Sequence, residues 1–86
     1  MLVVHGELDI ATAPELVEML RRFRRQGHAV ALDMAEVTFM DSTGLTTLMD
    51  AQLAAENNGW RFEIRRASPA VRRVFDLAGV GRLLDE

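Results

Sequence analysis

Ala29-Val30-Ala31-Leu32-Asp33-Met34 is the stretch that decides the fold. It is apolar at every position but Asp33 and does not alternate. A short run of this kind reads as a central strand covered on both faces, as in parallel sheets. Parallel neighbours need crossover connections, usually helices, and both flanks offer one. Upstream, Thr12-Ala13-Pro14-Glu15 opens a helix. Thr12 is the expected cap, Glu15 completes a capping box, and Pro14 loses no hydrogen bond in a first turn. Leu16, Leu20 and Phe23 then recur at helical spacing with Val17 beside them, and Gly27 stops the helix. Downstream, a second helix is expected from Asp41–Thr43 to Glu56. Leu45, Leu48, Met49 and Leu53 form its stripe, and Asn57-Asn58-Gly59 closes it.

The outer segments extend the pattern. Met1–His5 is a short β-branched run that reads as another buried strand, ended by Gly6. Trp60-Arg61-Phe62-Glu63-Ile64-Arg65 alternates, as a strand with one wet face does. Ser68-Pro69 opens a third helix with Val71, Val74, Phe75 and Ala78 as its stripe and Gly79 past its end. Leu83 and Leu84 point to a final short strand. The order is β-α-β-α-β-α, then β. This is one α/β domain, a largely parallel β-sheet with helices packed on it and right-handed crossovers. The carboxyl ends of parallel strands share an edge. The loops Gly6–Asp9, Ala35–Ser42 and Arg66–Ser68 are therefore expected on one rim, where sites of open α/β sheets gather. Asp9, Asp41 and Ser42 become expected neighbours.

Composition narrows the function. A chain of 86 residues holds one domain. The absence of cysteine rules out disulfides, thiolate metal sites and a cysteine nucleophile. A formal net charge of -3 argues against nucleic acid as a partner. Arg21-Arg22-Phe23-Arg24-Arg25 fits the wet face of the first helix, with cations favoured near its C-terminus. No run of about 18 apolar residues and no apolar leader is present, so a cytoplasmic chain without membrane insertion is expected. His5 and His28 lack metal-ligand spacing. No Gly-x-x-x-x-Gly-Lys loop or Gly-x-Ser-x-Gly elbow occurs, so neither a metal, a cofactor nor a catalytic residue is expected.

The informative segment is Val37-Thr38-Phe39-Met40-Asp41-Ser42-Thr43-Gly44-Leu45. A hydroxyl sits where a loop becomes a helix. Unpaired backbone N–H groups and the helix dipole favour negative charge there. A phosphate on Ser42 would be tolerated by its own protein. It would also add nearly two negative charges beside Asp41. Asp-Ser before an apolar helical stripe is equally an ordinary N-cap, and the two readings are compatible.

Asp41-Ser42-Thr43-Gly44-Leu45, preceded by Phe39-Met40, resembles the phosphorylation motif of STAS-domain anti-sigma factor antagonists. Gly6-Glu7-Leu8-Asp9 is similar to that family's loop after an early strand. Ser68-Pro69-Ala70-Val71-Arg72-Arg73-Val74-Phe75, continued by Leu77-Ala78-Gly79-Val80, is similar to its third helix. The resemblance covers nearly the whole chain and implies a single STAS domain over residues 1–86. It implies Ser42 as phospho-acceptor, with Glu7, Asp9, Asp41, Ser42 and Thr43 at the partner-binding rim. Thr43 is a second candidate acceptor, since serine is common at its place. The implied partners are an anti-sigma factor serine kinase, held while Ser42 is unphosphorylated so that the sigma factor is free, and a serine phosphatase that resets the switch. Relative to the family, the first strand and the last helix are missing. Self-association through Met1–His5 or Leu83–Glu86, or a stability markedly below that of a form with both ends restored, is therefore expected. Two other roles fit the same fold: a non-phosphorylated accessory subunit of a membrane lipid transporter, and a scaffold subunit of a stress-signalling assembly. An enzyme using Asp9 as base and Ser42 as nucleophile lacks any nameable oxyanion site.

Overall fold

The computed structural model describes residues 1–84. Strand β1 spans Leu2–Leu8, β2 Val30–Met40 and β3 Phe62–Arg65. Helix α1 spans Ala13–Arg25, α2 Ser42–Asn58 and α3 Pro69–Leu77. The three strands form one parallel sheet in the order β1-β2-β3. The core runs between sheet and helices. Val30, Leu32 and Met34 of β2 join Phe62 of β3, Leu16 and Leu20 of α1, Leu48 of α2, and Val71 and Phe75 of α3. The apolar run around Leu32 is thus the central strand, as its composition demands.

Four expectations change. The first strand is not buried on both faces. It is an edge strand whose residues alternate, with Val3, His5 and Glu7 exposed. Gly6 does not end it either. The pairing shifts between Val3 and His5 and again between Gly6 and Glu7, because β2 carries an extra residue at each place. Gly6 adopts φ +82°, which a residue with a Cβ rarely does, and the strand continues through it to Leu8.

Among the described residues the expected final strand does not form. Gly81–Leu83 form a single 3₁₀ turn, and Leu84 is buried at 2% exposure. An isolated Leu-Leu pair tells only that something is covered, not that a strand covers it. The rest of the Leu83–Glu86 segment lies outside the described residues.

The apolar stripe of α2 is rotated from the one the spacing indicates. Gly44, Thr47, Leu48 and Ala51 are buried, whereas Leu53 is 56% exposed. Small residues face the neighbours because α2 packs against α1, α3 and the sheet together. Thr47 is tolerated there since its hydroxyl donates to the Thr43 carbonyl at 3.0 Å.

The rim is the fourth correction. Strand β2 outlasts β3. Asp33 pairs with Arg65 at the end of β3, and the chain then turns so that the Ser68 N–H meets the Met34 carbonyl at 3.1 Å. Strand β2 continues beside β1 as far as Met40, opposite Leu8. From Met34 to Met40 is roughly 20 Å of strand. The loop Arg66–Ser68 therefore does not share the rim with Gly6–Asp9 and the end of β2. Ser68 instead caps α3, its hydroxyl accepting from the Val71 N–H at 3.3 Å, and α3 packs against β2.

Candidate functional site

Two chain segments build the remaining rim. Strand β1 ends at Leu8 and β2 at Met40, side by side. The Asp41 N–H donates to the Leu8 carbonyl at 3.3 Å, which carries the pairing one residue past the strand ends. Asp9 and Asp41, far apart in sequence, are brought together by this bond.

Asp41 is the N-cap of α2. Its backbone is extended, with φ -113° and ψ -170°, and its Oδ1 accepts from the N–H groups of Thr43 at 2.9 Å and Gly44 at 3.1 Å. Ser42 is the first helical residue and is exposed. Among the described residues its hydroxyl has no hydrogen-bond partner. The sequence leaves open which of the two is the cap. The geometry assigns that task to Asp41 and leaves the Ser42 hydroxyl unused. Thr43 is half-buried and lines a groove between α1 and α2.

Asp9 is turned toward its own loop. Its Oδ1 accepts from the N–H groups of Ala11 at 3.0 Å and Thr12 at 3.1 Å. The Thr12 hydroxyl accepts from the Asp9 N–H at 2.9 Å and donates to the Glu7 carbonyl at 2.8 Å. Thr12 thus makes no side-chain cap for α1, and the capping box with Glu15 does not form. Asp9 does this work from three residues upstream, with its carbonyl accepting from the Ala13 N–H at 2.7 Å. Glu7 is exposed on β1 opposite Phe39, one residue before the strand ends at Leu8.

Gly44 is a site residue that the sequence reading passes over. A Cβ there would lie 2.8 Å from the Leu8 carbonyl oxygen and 2.6 Å from the Met40 Cγ. Glycine lets the first turn of α2 press against the ends of both strands, which sets where Ser42 stands. The signal is present in the sequence, since glycine in a first helical turn is unfavourable without a packing reason.

A hydroxyl exposed at a helix start, beside a carboxylate and with no part in the fold, is equipped to accept a group or meet a partner. The family model described as "Mlab, STAS domain" matches residues 1–85. An anti-sigma-B factor antagonist of Staphylococcus epidermidis is 39% identical over 82 residues, covering 94% of this chain and 76% of the relative. One from Staphylococcus aureus is 34% identical over the same shares. This chain belongs to the STAS-domain family of anti-sigma factor antagonists.

Solved structures agree on the STAS fold. The unphosphorylated anti-sigma factor antagonist SpoIIAA superimposes with a TM-score of 0.76 at 25% identity, over 94% of this chain and 72% of that one. An anti-sigma factor antagonist from Mycobacterium paratuberculosis gives 0.79 at 28% identity, over 96% and 71%. Among the described residues, no helix of this STAS domain is long and apolar enough to cross a membrane.

Proposed function

We propose that this STAS domain is a phosphorylation-controlled anti-sigma factor antagonist acting by binding and not by catalysis. With Ser42 unphosphorylated it holds an anti-sigma factor, which then cannot hold its sigma factor. That anti-sigma factor is also the serine kinase that modifies Ser42, and a serine phosphatase restores the hydroxyl. One observation carries this reading: Asp41 caps α2, so the exposed Ser42 hydroxyl is free of any structural duty. Phosphate at this helix start meets a favourable dipole, so the domain itself tolerates it. The same phosphate adds about 1.5 to 2 negative charges next to Asp41. A contact surface fitted to the neutral hydroxyl then has to accommodate a desolvated dianion, and the complex separates.

Capture of partners from extracts of the source cell, with and without ATP, followed by phosphosite mapping, tests the proposal. The expected result is one ATP-binding kinase retained without ATP and released as Ser42 gains a phosphate. Retention of membrane transporter subunits instead, with Ser42 unmodified, would overturn it in favour of an accessory subunit.

A further inference from the structure

The proposed partner contact needs a source of affinity besides a serine hydroxyl, and Ile10 is placed to supply it. Ile10 is 74% exposed. Exposed aliphatic side chains are ordinary on a surface, so exposure alone assigns nothing. Met1, Leu53 and Leu77 are comparably exposed, but Met1 is the chain's first residue and the two leucines lie on the outer faces of α2 and α3. Ile10 differs in two respects.

The first is rigidity. Ile10 follows Asp9 in a turn closed from both sides by the Asp9 carboxylate and the Thr12 hydroxyl. The Asp9 carbonyl also takes the N–H groups of Thr12 and Ala13. A backbone tied by six hydrogen bonds loses little further freedom when its apex is buried by a partner.

The second is continuity with Ser42. Ile10 lines one side of the groove between α1 and α2, with Ala13, Pro14 and Val17, and Glu18 and Arg21 continue that side away from Ile10 along α1. Thr43 and Thr47 line the other side, and Thr43 directly follows Ser42. A partner surface seated on Ile10 and this groove therefore reaches Thr43, the residue next to Ser42.

We infer that Ile10 is the apolar anchor of the anti-sigma factor contact, received by an uncharged aliphatic pocket on the kinase. This rests on the function proposed above and deepens it. An apolar anchor in the same contact as Ser42 excludes water from that contact. It is this dryness that makes a phosphate there costly.

Calorimetry of the whole 86-residue chain against its purified cognate anti-sigma factor kinase tests the inference. Three variants are compared: Ile10→Ser, Ile10→Val and Leu77→Ser. Burial of an isoleucine side chain corresponds to about tenfold in affinity or more. Ile10→Ser is expected to lose that much, Ile10→Val to retain most of it, and Leu77→Ser to bind as the parent does. All three should melt where the parent melts. A parent that binds tightly, with Ile10→Ser binding equally well, overturns the anchor and leaves the proposed function standing. Equal losses in Ile10→Ser and Leu77→Ser also overturn it. A parent that does not bind the kinase removes both proposals.

Discussion

The N–H of Asp41 is bonded to the carbonyl of Leu8 at 3.3 Å, and this single bond joins the two halves of the rim. On one side it fixes the residue before Asp9, and on the other the cap of α2. The same Leu8 carbonyl is approached by the backbone of Gly44. Strand end, helix cap and helix first turn thus meet at one oxygen. Ser42 stands beside that junction without taking part in it.

Gly44→Ala should destabilise the domain. Alanine is normally worth about 1 kcal/mol more than glycine in a helix. Here its Cβ would sit 2.8 Å from a backbone oxygen that cannot swing away. Overpacking of this kind costs about 1–3 kcal/mol, so the clash outweighs the propensity gain. For a domain of this size each 1 kcal/mol lowers the melting temperature by about 4–8 °C. A thermal melt decides, and a variant more stable than the parent would show that α2 can back away from Leu8.

Asp41 has two roles, and two substitutions separate them. Asp41→Ala leaves the N–H groups of Thr43 and Gly44 without their acceptor and should cost about 1 kcal/mol. Asp41→Asn keeps an oxygen in the same place and should cost only a few tenths. Urea titration measures both. If binding of the anti-sigma factor then changes in Asp41→Asn, its charge is read by the partner. If binding follows stability alone, Asp41 acts only as the cap.

The central strand was legible because burial on both faces leaves a residue-level signature around Leu32, and the α3 start because Ser68-Pro69 is a strong local signal. What escaped the sequence depends on length and partners, which local patterns do not encode. Nothing in Ala35–Met40 distinguishes a loop from a strand that continues beside β1 alone. Nothing in Met1–His5 tells an edge strand from a central one, since the same valines serve both. Thr12 and Asp9 are both good caps in sequence, and only the fold determines which carboxylate or hydroxyl faces the helix. The motif marks the Ser42 segment, but the Arg66–Ser68 loop stands apart from it because β3 stops opposite Asp33 while β2 runs on to Met40, a difference in length that no local pattern carries.

Ser42 and Thr43 are adjacent hydroxyls with different surroundings, and a kinase should distinguish them. Ser42 is exposed, whereas Thr43 is half-buried in the α1–α2 groove. Phosphate is expected on Ser42 alone, read by mass spectrometry after incubation with kinase and ATP. Ser42→Ala should change stability by no more than about 0.5 kcal/mol, because that hydroxyl supports nothing in the fold. Ser42→Asp should weaken partner binding about tenfold, less than phosphate would, since it carries less charge. Phosphate on Thr43 with Ser42 untouched would show that the first turn of α2 opens before the kinase acts.

Asp33 makes the long reach of β2 workable, and its removal should separate fold from function. It lies at the place where β3 stops, paired with Arg65, and is only 7% exposed. Its Oδ1 accepts from the Ala35 N–H at 3.1 Å, and its Oδ2 lies 3.6 Å from the Arg66 guanidinium. Arg66 itself turns the corner with φ +55°. The Arg66 side chain is 68% exposed, so solvent screens the ion pair and the N–H bond is the larger contribution. Asp33→Ala leaves that part-buried N–H without its acceptor and should destabilise by about 1 kcal/mol or more. Asp33→Asn retains an acceptor and should lose less. The corner is roughly 20 Å of strand away from Ser42. Partner affinity of the folded Asp33→Asn variant should therefore equal that of the parent, measured by calorimetry well below its melting point. A large loss of affinity with the fold intact would mean that the corner and the rim move together, and that Ser42 is positioned from the far end of β2 as well as from Leu8.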